Sequence, residues 1–329
     1  MVDGTIETRA RALVAALGLG RAEDVTEVVP LTGGVASDIA RVTVGERLMA
    51  VKFALGRLRV AAEWLAPVHR NRAEYAWLEV AGQVAPGAVP ALYGHDAALG
   101  GFAMEYLADG RQWKAALLDG GAAGPVAEAV ADRLGRIHAV GARPGFDRGA
   151  FRNAADFHAL RVEPYLLFTA TRHDGVAARL RSLASGLDAA AVTLVHGDVS
   201  PKNIIVRDVG PVLLDAECAT MGDPAFDVAF CLNHLVIKSV HLPESRAALR
   251  RAVMAFWRAY AAHVGWEPMA AVEARVAALL PALMLARVDG KSPVEYLTVA
   301  GQAEVRGRAL ALLSEPAGDL AALMARMEA

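Results

Sequence analysis

Most of the chemistry this sequence offers is concentrated in one run, Leu194-Val195-His196-Gly197-Asp198-Val199-Ser200-Pro201-Lys202-Asn203. An apolar lead-in delivers a His-Gly-Asp turn, and an asparagine follows five residues after the aspartate. A second apolar stretch, Val212-Leu213-Leu214, ends at Asp215 and Glu217. Two short strands would then present an aspartate, an asparagine and a further acid at their ends. Phosphoryl transfer uses such a set: a carboxylate that orients a hydroxyl, with an amide and a carboxylate that hold Mg²⁺ on ATP.

Within that set Asp198 is the candidate catalytic residue. A carboxylate in a tight turn accepts a hydrogen bond from a substrate hydroxyl and aligns it on phosphorus, an effect worth about 10²- to 10⁴-fold in rate. The ordinary alternative is an aspartate that only caps the turn; the spacing to Asn203 and Asp215 favours the catalytic reading. Asn203 and Asp215 are the candidate Mg²⁺ ligands, because Mg²⁺ takes oxygen donors and usually one or two carboxylates plus phosphate oxygens. Glu217 lies two residues after Asp215, so an extended chain points it the same way; it either joins the metal shell or is a solvated acid. His196 is read as a lock on the turn, through backbone or Asp215, and not as a base. Asp227 opens an apolar segment and is placed to satisfy the N–H groups of the turn, with Asp223 as the helix cap before it.

On the nucleotide side, Lys52 ends the apolar run Leu48-Met49-Ala50-Val51. A lysine in an apolar strand calls for an anionic partner, which ATP phosphates supply; an edge-strand lysine reaching water is the alternative. Glu74 is the candidate partner that holds it. The turn Leu31-Thr32-Gly33-Gly34-Val35-Ala36-Ser37-Asp38 offers backbone N–H groups to phosphates, with Gly33, Gly34 and Ser37 as candidates, although paired glycines are common in plain hairpins.

These residues need a scaffold of two kinds. After an amphipathic helix within residues 1–20, the runs Val25 to Pro30, Ile39 to Val44 and Leu48 to Phe53 read as strands. A helix from about His69 to Val80 and strands at Val89 to Tyr93 and Gly101 to Tyr106 complete a sheet-rich part. From about Gly124 onward apolar residues recur at helical spacing, as in Ala127 to Val140, Phe226 to Ile237, Ala247 to His263, Met269 to Val288 and Gln302 to Leu313. The expected class is α+β, with a β-rich nucleotide-binding lobe over residues 1–107 and a helical catalytic and substrate-binding lobe over 108–329.

Composition narrows the setting. A chain of 329 residues with net charge −2 shows no basic excess for nucleic acid. No charge-free apolar run reaches membrane-spanning length, and the N-terminus does not read as a signal peptide. Cys218 and Cys231 form no disulfide framework and are expected as buried free thiols. A cytoplasmic protein with a small-molecule partner, monomeric or homodimeric, is the expectation.

The motif set resembles the aminoglycoside phosphotransferase and choline kinase superfamily, small-molecule kinases with a protein-kinase-like fold. Its hallmarks stand here as His196-Gly197-Asp198, Asn203, Asp215-Ala216-Glu217 and the Gly-Asp-Pro-x-x-Asp of Gly222 to Asp227. The resemblance implies that Asp198 positions the acceptor hydroxyl, that Asn203 and Asp215 hold Mg²⁺, and that Lys52 and Glu74 are the phosphate-binding lysine and its helix partner. It implies a hinge at Met104-Glu105-Tyr106-Leu107, with the Glu105 carbonyl and Leu107 amide facing adenine. The N-terminal part is also similar to methylthioribose kinase in Val51-Lys52-Phe53-Ala54-Leu55, Arg57 to Val60, Glu63-Trp64, Arg72 to Tyr75 and Val89 to Tyr93. That family carries a twin-arginine pair that contacts the sugar; this chain has Ala286-Arg287, and Val199 to Asn203 also replaces that family's loop. Both differences lie on the substrate side.

For the acceptor, a sugar-like alcohol, methylthioribose-like or another pentose derivative, is the leading expectation. An aminoglycoside pocket would concentrate acids, whereas acids and bases are about equal in number from Ser239 to Ala329. The alternatives are an antibiotic phosphotransferase and, from a different class, a non-catalytic nucleotide-binding module. Arg287, Asp289 and Lys291 are candidate acceptor contacts, although a plain helix stop at Asp289-Gly290 explains the same residues. Trp64 either closes over the sugar or packs in the core.

Overall fold

The computed structural model describes residues 5–31, 37–55, 70–121 and 123–328. Gly33, Gly34 and Trp64 lie outside the described residues. Helix α1 (Ile6–Ala16) leads into strands β1 (Val25–Pro30), β2 (Ser37–Val44) and β3 (Arg47–Ala54), followed by helix α2 (Arg70–Val84) and strands β4 (Leu92–Asp96) and β5 (Gly101–Glu105). These strands form one antiparallel sheet in the order β1-β2-β3-β5-β4, with β3 in the middle.

Strand alternation decides what each face of β3 does. Met49, Val51 and Phe53 pack with Ala10, Leu13 and Val14 of α1. Ala50 belongs to the other cluster, with Trp77 and Leu78 of α2. Lys52 shares the parity of Ala50 and so faces α2. Because β3 is central and Lys52 is only 2 % exposed, the edge-strand alternative does not apply.

The rest of the chain is mainly helical. Strand β6 (Arg111–Gln112) precedes helices α3 (Trp113–Leu118) and α4 (Gly124–Gly141). Helices α5 (Ala154–Phe157) and α6 (Phe168–Ala170) flank a π-helical stretch, His158–Leu167, which contains Pro164. Helix α7 (Asp174–Ala189) follows, then strands β7 (Thr193–Val195), β8 (Ile204–Arg207), β9 (Gly210–Leu213) and β10 (Thr220–Gly222). Helices α8 (Pro224–His241), α9 (Arg246–Ala261), α10 (Met269–Asp289), α11 (Val299–Ser314) and α12 (Leu320–Glu328) complete the chain.

The two strands expected to carry the motif do not pair with each other. β7 pairs with β10, and β9 with β8 and, through it, β6. The Leu214 amide donates to the Asn203 carbonyl at 2.9 Å and extends the β8–β9 ladder by one bond, while His196, just after β7, reaches the Leu214 carbonyl at 3.1 Å and ties the two small sheets together. The expected strand at Val89 to Tyr93 begins later, at Leu92, and α2 runs four residues beyond the expected Val80. Cys218 and Cys231 are buried and unpaired, and burial pushes both thiols above their ordinary value. Helix α10 is long and apolar enough to cross a membrane by length and composition, but in this fold it packs against α8 and α11 and most of it is buried.

Candidate active site

The catalytic turn is held from below by one carboxylate. Asp223 caps α8 by accepting from the Ala225 amide at 2.9 Å, with Pro224 preset for the first helical turn. That start places Asp227, fully buried, under the turn. Its carboxylate accepts the amide N–H of His196 at 2.6 Å and of Gly197 at 2.8 Å. It also meets His138 Nε2 at 3.2 Å, while His138 Nδ1 lies 2.8 Å from the Tyr260 hydroxyl. Gly197 has φ +81°, and a Cβ there would lie 2.7 Å from Cys218 Cβ, so the turn accepts only glycine. His196 spends both ring nitrogens on the loop: Nε2 on the Leu214 carbonyl at 3.1 Å, and Nδ1 accepting from the Asp198 amide at 3.1 Å. Burial keeps its pKa below the ordinary value, so the ring is neutral and structural.

Asp198 leaves this turn nearly buried and faces two cations. Arg161 Nη2 donates to Asp198 Oδ2 at 2.9 Å, and Arg161 Nε donates to the Gly197 carbonyl. Lys202 Nζ stands 3.4 Å from the same oxygen. Burial alone would raise the carboxyl pKa, but Lys202 and Arg161 outweigh it and hold the group below its ordinary value. Asp198 is therefore an ionised acceptor with Oδ1 as its less committed oxygen. It suits a group that orients a hydroxyl better than one that takes a proton early.

Lys52 Nζ lies 2.7 Å from Glu74 Oε1 within the N-terminal part and, across the lobe junction, also bonds Asp215. Burial works against the ammonium, but Asp215 and Glu74 outweigh it and keep it charged. Asp215 has φ +69°, the only non-glycine residue with positive φ among those described, at a cost on the order of 1–3 kcal/mol. Asn203 donates Nδ2 to the Asp198 carbonyl at 3.1 Å, which leaves its amide oxygen available to a ligand.

These donors fit Mg²⁺ on a nucleotide. Asp215 and Asn203 are hard oxygen donors beside the charged Lys52. Among the described residues no three His, Cys, Asp or Glu side chains gather as an all-protein metal cage. Two protein ligands completed by phosphate oxygens is the usual arrangement for Mg²⁺.

Several expected site residues are placed differently. Glu217 Oε2 accepts from Arg70 Nε at 2.9 Å in a buried pair, and Arg70 also holds the Leu55 carbonyl at 2.7 Å. Glu217 thus ties the metal-side loop to α2, and its carboxylate is engaged by that guanidinium. Asp289 is bound by His173 at 2.8 Å and Arg306 at 2.7 Å, and Lys291 by Glu163 at 2.8 Å; neither lines the pocket at Asp198. Arg287 does line it. Asp289 is two residues beyond Arg287, roughly 200° around a helix, so the two cannot share a face. Ser37 opens β2 and is buried. Glu105 ends β5 with its side chain on Arg207 at 3.0 Å, and Leu107 follows in irregular chain.

Two groups were missed from sequence. Arg161 lies 37 residues upstream of Asp198, outside any motif. Lys238 sits in the apolar helix α8, yet Phe230, His234 and Lys238 recur every four residues and all line the pocket. That spacing was the available signal.

The phosphotransferase enzyme family matches residues 27–272, well over half of the 329-residue chain. The chain belongs to that family. It is a phosphotransferase by family. Among solved structures it is similar to an amicoumacin kinase in complex with AMP-PNP, Ca²⁺ and Ami, with TM-score 0.56, 15% identity, and 94% of this chain and 95% of that chain covered. It is also similar to the ethanolamine kinase of Plasmodium vivax, with TM-score 0.54, 13% identity and coverage of 92% and 88%. The choline kinase LicA of Streptococcus pneumoniae aligns with TM-score 0.52, 17% identity and coverage of 94% and 99%. At these identities the likeness establishes the two-part, kinase-like fold. No curated protein sequence matches the chain.

Proposed function

We propose that the protein transfers the γ-phosphate of Mg-ATP to a hydroxyl of a small, sugar-like acceptor bound beside Asp198. The observation that carries this is the convergence of Asp198, Asn203, Asp215 and the Lys52–Glu74 pair, from separate elements, at one lobe junction. Lys52 would engage the phosphates, and Asn203 and Asp215 would hold Mg²⁺. The bound ion supplies charge neutralisation on the phosphate oxygens. Asp198 Oδ1 accepts the hydroxyl hydrogen bond and aims its oxygen at phosphorus, while Arg161 fixes the carboxylate. Residues 1–107 form the nucleotide lobe in this reading, with Glu105 and Leu107 at the adenine edge and residues 108–329 carrying the acceptor.

The pocket favours a small acceptor. Lined by Tyr165, Asp198, Lys202, His234, Lys238 and Arg287 among others, it encloses about 180 Å³. Sites for drug-sized ligands are larger, about 300–1,000 Å³. The same lining carries lysines and an arginine where a polycationic antibiotic would call for acids. Both observations support a compact metabolite over an aminoglycoside. The two unpaired thiols fit a reduced cytoplasmic setting.

The test is transfer of label from γ-phosphate-labelled ATP to a panel of small hydroxylated compounds. Labelled phosphomonoester formed only with Mg²⁺ supports the proposal. No transfer to any hydroxyl, with ATP left intact, would sink it.

A further inference from the structure

The pocket beside Asp198 holds more positive charge than its own residues neutralise. Lys114 comes from α3, Lys202 from the loop, Lys238 from α8 and Arg287 from α10. Two carboxylates face them: Asp198, committed to Arg161 and Lys202, and Glu295, bonded to Lys114. Among the described residues neither Lys238 nor Arg287 has a carboxylate within ion-pair distance; Glu295 acts on both only from further away, while bonded to Lys114.

Lys238 is 1 % exposed, and its Nζ has only the Tyr296 hydroxyl at 3.4 Å and the face of the Tyr296 ring, 4.9 Å from the centroid. Arg287 spends Nη1 on the Tyr165 hydroxyl at 3.2 Å and on Ser292, and its Nε is buried with no acceptor. His234, one turn before Lys238 on α8, is kept neutral by burial and by these cations. Burying an ammonium without a counter-ion is costly, and natural cores avoid it. Two such cations aimed into one cavity, in a chain with acids to spare elsewhere, indicate a site completed by a ligand.

We infer that the acceptor is an anionic hydroxy compound, whose carboxylate or phosphate binds Lys238 and Arg287 while its hydroxyl meets Asp198. This rests on the kinase reading for the placing of the hydroxyl and deepens it by naming the acceptor's class. Planar Arg287 offers a fork to a carboxylate or phosphate edge, and Lys238 a point charge.

The test uses full-length protein loaded with a non-hydrolysable ATP analogue and Mg²⁺, with nucleotide affinity measured separately. Thermal shift and titration compare D-glycerate and D-gluconate, glycerol 3-phosphate and D-ribose 5-phosphate, neutral glycerol and D-ribose, and cationic choline and D-glucosamine. At least one anionic probe should bind more tightly than its neutral counterpart, the first two arms separating carboxylate from phosphate. Lys238→Met and Arg287→Met should each weaken that probe by roughly 30-fold or more and leave nucleotide affinity unchanged. Lys238→Met should also raise the melting temperature of the ligand-free protein, which removal of a merely structural lysine would not do. Binding of neutral or cationic probes in preference, no shift by any anionic probe, or an anion preference intact in both variants overturns the inference while the kinase reading stands. Failure to bind nucleotide at all overturns both.

Discussion

Arg161 Nη2 lies 2.9 Å from Asp198 Oδ2, and Arg161 Nε donates to the carbonyl of Gly197 one residue earlier. One guanidinium therefore fixes both the backbone of the turn and the carboxylate it presents. Arg161→Met removes a partner from a buried pair, a change that typically costs about 3–5 kcal/mol. The melting temperature should fall, and turnover should fall more than the acceptor KM rises, because the carboxylate is still present but no longer aimed. Unchanged turnover in a folded variant would show that Lys202 alone suffices.

Asp227 supplies a second hold on the same turn. Asp227→Asn presents an amide N–H to one of the two N–H groups now accepted at 2.6 and 2.8 Å, and leaves that donor unpaired. The cost is about 1–3 kcal/mol. Denaturant unfolding should show that loss, and activity should drop although Asp227 touches neither acceptor nor nucleotide in this account.

The sequence exposed the turn because its parts lie close together: His196, Asp198, Asn203, Asp215 and Asp227 fall within about thirty residues. Lys52 was visible because a lysine inside an apolar strand is anomalous. Arg161 was hidden because its link to Asp198 is made by tertiary packing of a π-helical stretch. Asp289 and Lys291 misled because polar residues at a helix end look alike in sequence, whether they face a pocket or, as here, Arg306 and Glu163. The helical period separates Asp289 from Arg287, Lys291 lies past the end of α10, and the same period picks out Lys238 below Phe230 and His234.

Lys238 makes stability depend on pH. Burial, with Lys114 and Arg287 adding to it, lowers its pKa to about 7, against about 10.4 in an unfolded chain. Between those values the unfolded chain binds more protons, so stability should rise with pH across the window, and the penalty is fully present below about 7. Thermal melts from pH 6 to 10 should show that slope in the wild type and a flatter one in Lys238→Met. Cys231 and Tyr296, also beside Lys238, have pKa values raised by burial and stay neutral through the window. Binding of an anionic probe should take up protons near pH 8, measurable by calorimetry in buffers of different ionisation enthalpy.

In the proposed function the Lys52–Glu74 pair, 2.7 Å apart, puts the nucleotide side on β3 and α2. Glu74→Gln keeps a hydrogen-bond acceptor but removes the charge, so Lys52 should be drawn further to Asp215. ATP KM should rise while acceptor affinity, measured by direct binding, stays the same. A change confined to the acceptor would place the pair outside the nucleotide site.

In the proposed reaction Asp198 aligns the acceptor hydroxyl and does not hold the nucleotide. The most direct measurement compares wild type with Asp198→Asn, taking nucleotide affinity by titration with a non-hydrolysable ATP analogue and turnover by transfer of labelled phosphate to the best acceptor. Nucleotide affinity should stay within about twofold of wild type and turnover should fall by about 10²-fold or more. Turnover retained near the wild-type rate, or nucleotide binding lost together with activity, would contradict it.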